Sequence, residues 1–105
     1  MSDVDVFRLA FDAMEWDELA PGWRVKRFAI GDRVIRLVEL TDALDPEPCC
    51  VGHIGYVVAG RFTVEFADRK LELQAGDGLR IPDGEATKHV PRVAPGESAL
   101  LFLVE

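Results

Sequence analysis

The sequence predicts an all-β protein, a sandwich or barrel of many short strands in one domain of 105 residues. Three observations predict it. Short runs alternate apolar and polar residues with the period of two that a half-buried strand needs. Clusters of glycine, proline and aspartate punctuate these runs at nearly regular spacing. The last run, "SALLFLVE", is almost wholly apolar yet short, as in a strand buried on both sides.

Taken in order, residues 1–22 read as an N-terminal arm and residues 23–105 as the barrel. Within the arm, "DAMEWDELA" has room for one or two helical turns before Pro21 but is expected to be irregular. "WRVKRFA" (23–29) and "RVIRLVEL" (33–40) are rich in β-branched and aromatic residues and are bounded by Pro21-Gly22 and Gly31-Asp32, so both are strands. "TDALDPEPCC" (41–50) is a loop, because two prolines one residue apart disfavour helix and central strand alike. From Gly52 to Phe66 two strand-like runs meet at Gly60, where a tight hairpin would use positive φ. His53, Gly55, Val57 and Ala59 share one face of the first run, and Ile54, Tyr56 and Val58 the other. In the second, Phe62, Val64 and Phe66 face inward. "KLELQ" repeats the alternation with Leu71 and Leu73 inward. Gly76-Asp77-Gly78, Asp83-Gly84 and Pro95-Gly96 are turns. Trp16 and Trp23 read as core or interface aromatics.

Composition narrows the function. A formal charge of −7 argues against nucleic acid and anionic membrane as partners, since both would repel the chain. The start, "MSDVDVFRLAFD", has no basic region followed by an apolar run, and no stretch approaches the roughly 20 apolar residues that span a bilayer, so a cytoplasmic location is expected. Cys49 and Cys50 are adjacent, and neighbours form a disulfide only in a strained ring, which favours a reduced pair. No glycine-rich loop leads into a helix to cradle phosphate, and Ser2 and Ser98 lack a nucleophile-elbow context.

Two blocks, "GYVVAGRFTVEF" and "AGDGLRIPDGE", resemble the two motifs of the cupin superfamily. The similarity covers about Cys49 to His89 and rests on Gly60, Gly76-Asp77, Ile81-Pro82 and Gly84 at their mutual offsets. It implies a double-stranded β-helix, a jelly-roll barrel with a ligand pocket at one mouth. The family's first motif carries two histidines one residue apart, then a glutamate, then the glycine seven residues on. In this chain His53 stands at the glutamate position, and Glu47 and Cys49 stand at the histidine positions. The second-motif histidine corresponds to Thr87, with His89 two residues later and on the same face if the strand runs without a bulge.

The resemblance therefore implies a metal site built from His53, His89, Cys49 and Glu47, with Cys50 as the alternative thiol, holding one divalent transition metal such as Zn, Fe, Ni or Mn. The two imidazoles are then expected within about 8 Å of each other. Val57, Phe62, Val64 and Leu79 are expected to line the pocket. The function implied is binding of a metal, a small molecule or both at the barrel mouth. The alternatives are a metal-dependent oxygenase or isomerase and a non-catalytic sensing module for a small ligand. A homodimer is expected, because both faces of "HIGYVVAG" are apolar and something must cover the outer one.

Overall fold

In the computed structural model, which describes residues 7–105, eight strands follow one another: β1 (Asp17–Ala20), β2 (Trp23–Ile30), β3 (Arg33–Thr41), β4 (His53–Phe66), β5 (Lys70–Gln74), β6 (Gly78–Ile81), β7 (His89–Arg92) and β8 (Ser98–Val104). Helix is confined to two single 3₁₀ turns, Phe11–Ala13 and Glu85–Thr87, among the described residues. Every strand pair is antiparallel. The order β1-β2-β3-β8-β4-β5, with β6 and β7 also on β4, curls the sheet into a barrel. No helix among the described residues is long and apolar enough to cross a membrane.

β4 organises the barrel. Its residues 53–60 pair with β6 and β8, whereas residues 61–66 pair with β5 and β7. Its two halves thus belong to opposite walls, and the expected hairpin at Gly60 is instead a fold of one strand from wall to wall. Fourteen residues drawn out straight would span about 46 Å. Yet the rings of His53 and Phe66, at the two ends, lie 5.4 and 6.0 Å from the ring of His89. The reversal is local. The register to β8 shifts between Val57 and Ala59, and Gly60 follows at φ +77. A Cβ on Gly60 would stand 1.9 Å from the carbonyl oxygen of Ser98. The shift also changes which alternate residues face inward, from Val57 before it to Phe62 and Val64 after it.

The core lies between the walls and gathers Val25, Val38, Leu40, Val57, Phe62, Val64, Leu73, Leu79, Ile81, Ala99, Leu101 and Leu103. β8 buries Ala99, Leu101 and Leu103 inside, while Leu100, Phe102 and Val104 are half-covered outside. Leu71 departs from expectation. It shares a face with Leu73 but is 42% exposed, because β5 is an edge strand.

The arm is more ordered than its composition suggests. Residues 1–6 lie outside the described residues, but Asp17–Ala20 pairs with β2 as an edge strand. Phe11 packs edge-on against Phe102 with centroids 6.2 Å apart, and Lys26 Nζ donates to the Phe11 carbonyl at 2.6 Å. Trp16 is not a core residue. Its ring receives the guanidinium of Arg24 at 4.3 Å and the ammonium of Lys26 at 4.7 Å. Trp23 is likewise partly exposed.

Candidate metal centre

Three segments deliver the candidate ligands to one end of the barrel. Cys49 ends the proline-bearing loop and pairs directly with His89. Its N–H donates to the His89 carbonyl at 2.9 Å, and the His89 N–H returns to the Cys49 carbonyl at 3.0 Å. Residues paired this way project side chains to the same face. On its other edge His89 pairs with Phe66, whose ring lies against the imidazole. His53 opens β4 opposite Ile81 of β6. Just before it, Gly52 sits so close to the Ile81–Asp83 backbone that a Cβ would come 2.3 Å from the Ile81 carbonyl oxygen. The Gly52 N–H also donates to Asp83 Oδ1 at 2.6 Å. That close approach pins the start of β4.

The result is a compact donor set. Cys49, His53 and His89 each offer a ligand atom, and the three atoms lie within 4.8 Å of one another. In a tetrahedral site with bonds of about 2.0–2.3 Å, ligand atoms stand roughly 3.3–3.8 Å apart, so modest side-chain rotation closes the set on an ion. A thiol and two imidazoles are donors that zinc and iron accept. The group fits a metal.

The surroundings orient each donor. His89 is buried, and its Nδ1 lies 2.9 Å from the Thr87 carbonyl. A carbonyl only accepts, so Nδ1 carries the proton and Nε2 keeps its lone pair for the site. His53 is held below its ordinary pKa, first by burial and then by the neighbouring His89, so the neutral, ligating form prevails near pH 7. The Val51 N–H donates to Cys49 Sγ at 3.4 Å. Cys50 turns elsewhere. Its thiol donates to Glu85 Oε2 at 2.7 Å, and this hydrogen bond raises its pKa, leaving Cys49 as the thiol beside the histidines.

Two residues fall outside the arrangement. Glu47, between Pro46 and Pro48, is exposed and is no part of the donor group. Thr87 does not share a strand face with His89, because the chain makes a 3₁₀ turn over Glu85–Thr87 before β7 begins. Its hydroxyl donates back to the Pro82 carbonyl. Val57, Phe62, Val64 and Leu79 are all members of the packed core. Phe62 also borders a shallow groove of about 380 Å³, with Arg61, Glu72 and Asp77. Arg36 and Glu105 reach the site without having been singled out from sequence. The signal was present: each continues an inward alternation, Arg36 with Val38 and Leu40, Glu105 with Ala99, Leu101 and Leu103.

The sequence matches no family model and no curated protein. Solved structures are similar. KdgF from Halomonas sp. is 28% identical, over 86% of this chain and 84% of its own, with a TM-score of 0.69. The polyketide cyclase RemF from Streptomyces resistomycificus is 22% identical over 92% and 76%, with a TM-score of 0.76. An RmlC-like cupin from Shewanella frigidimarina is 18% identical over 99% and 92%, with a TM-score of 0.70. At the last two identities the likeness is one of fold. With the curled antiparallel sheet and Gly60 placed as described, this chain has the fold of a small cupin.

Proposed function

We propose that the protein binds one divalent transition metal through Cys49, His53 and His89 and presents it to a small molecule at the barrel mouth. The convergence of three ligand atoms within 4.8 Å, from a loop and two separate strands, carries this reading. A thiolate with two imidazoles suits Zn(II) or Fe(II), accommodates Ni(II), and is a poorer set for Mn(II), which prefers oxygen. Three protein ligands also leave a coordination position open, whereas structural zinc sites close with four. A metal bound there would supply Lewis acidity to a molecule at that position. The chain's own residues hold the imidazoles in their ligating form, with Phe66 packed against His89 on the core side.

Metal analysis of tag-free protein tests the reading. Near-stoichiometric metal is expected, and it should disappear in a His53→Ala, His89→Ala double variant that keeps its β-rich circular dichroism. Metal-free wild-type protein that still takes up no added Zn(II) would overturn it, and would favour a sensing module for apolar ligands. The open position favours, as a second reading, a metal-dependent isomerase or oxygenase. Turnover that follows metal occupancy, and stops when the metal is removed, is its expected signature.

A further inference from the structure

Beyond the donor group, the same end of the barrel holds a partly exposed ion pair that touches His53. Val104 of β8 pairs with Ile35 on one side and Ile54 on the other, so the next residue, Glu105, comes level with Val34 and His53. Its backbone is fixed there. The Glu105 N–H donates to the Val34 carbonyl at 2.7 Å, and the Val34 N–H donates back at 2.9 Å. Its side chain pairs through Oε2 with Nη2 of Arg36. The same Oε2 lies 3.5 Å from His53 Nδ1. That nitrogen is buried and has no closer partner among the described residues.

We infer that Glu105, braced by Arg36, is a positioning residue that holds His53 as the Nδ1–H tautomer and turns its Nε2 lone pair toward the metal, a role that rests on the metal reading above. A neutral imidazole carries one proton, and a carboxylate is an acceptor only. An unprotonated Nδ1 facing Oε2 would set two lone pairs against each other in a buried place, so the proton belongs on Nδ1. Arg36 holds the carboxylate in place, and the His53–Glu105 contact shortens to a hydrogen bond with a small rotation of either side chain. His89 reaches the same tautomer by another acceptor, the Thr87 carbonyl. The two histidines are thus oriented independently, one by backbone and one by a charged pair. Such partners set ring orientation and ligand basicity, and their loss costs about 10–100-fold in metal affinity.

Two measurements on the full chain test this separately. In metal-free protein labelled with ¹⁵N-histidine at pH 7.5, two-bond ¹H–¹⁵N correlations should give the Nδ1–H pattern for His53, and Glu105→Ala should move it toward Nε2–H. In Zn(II) competition titrations, Glu105→Ala should weaken binding about 10–100-fold. Glu105→Gln, whose amide oxygen still accepts, should keep the tautomer and lose less affinity. It carries the comparison if the alanine variant does not fold. An Nε2–H pattern for His53 in the wild type would overturn the assignment whatever the metal does. So would a folded Glu105→Ala variant that matches the wild type in both tautomer and affinity. Wild-type protein with the Nδ1–H pattern but no Zn(II) binding would remove the metal reading and support the Glu105–His53 contact.

Discussion

His53 shows how burial and charge at one residue become a pH dependence. Burial, followed by the charge of His89, holds its pKa below the ordinary 6.5, with Arg36 adding to the effect and Glu105 opposing it. The unfolded chain therefore takes up a proton in a range where the folded chain does not, and stability rises with pH across that range. The contribution is complete above 6.5 and is lost as pH falls through the lower folded value. For the metal-free protein, the urea midpoint is expected to fall between pH 6.5 and about 5, before most carboxylates titrate. His53→Gln should flatten that slope, and an unchanged slope would discard the account. Gly60 is the second residue on which much depends. Alanine there meets a left-handed φ, costing about 1–2 kcal/mol, and also collides with the Ser98 carbonyl. Gly60→Ala should lose at least about 2 kcal/mol in urea unfolding. A loss under half of that would mean β4 can make its reversal elsewhere.

At the scale of elements, most strands were legible because period-two alternation survives wherever one face is buried. β2, β3, β5 and β8 appear within a residue or two of their sequence limits. What escaped sequence was set by tertiary partners. β1 has no alternation to betray it and exists because β2 offers an open edge. Gly60 signalled a positive φ, but only the neighbours of each half of β4 decide between a hairpin and a wall-to-wall fold. Counting family offsets reached Cys49, His53 and His89, yet placed Glu47 with them, since spacing cannot show that its side chain stands exposed. Arg36 and Glu105 were hidden for the opposite reason: their charge suggested solvent, although their register pointed inward. The docked arm yields a test of its own. Trp16→Ala removes two cation–π contacts worth about 0.5–2 kcal/mol each. Amide exchange over residues 7–16 should then quicken while β8 keeps its protection. Equal exchange in both proteins would show that Phe11 on Phe102 and the Lys26 hydrogen bond suffice.

On the whole molecule, the outer face of β4 is apolar and exposed. Ile54, Tyr56 and Val58 alternate along it at 63%, 49% and 45% exposure. The described part of the arm covers the neighbouring strand, where Phe11 sits on Phe102, and leaves these three exposed. With the inner face committed to the core and the candidate metal ligands, an apolar triplet on a chain of net charge −7 is a surface that water disfavours. A second copy is the occupant that requires no further protein. A two-fold axis would set each triplet against its equivalent, the commonest closed arrangement among oligomers. Light scattering at micromolar concentration is therefore expected to give twice the 11.7 kDa chain mass. Ile54→Lys with Val58→Lys should return the protein to the monomer mass by placing four like charges across the axis. Because both side chains point away from Cys49, His53 and His89, the variant should keep the metal affinity of the wild type. A wild-type mass of one chain would refute the dimer, and the exposed triplet would then belong to the surface of a monomer.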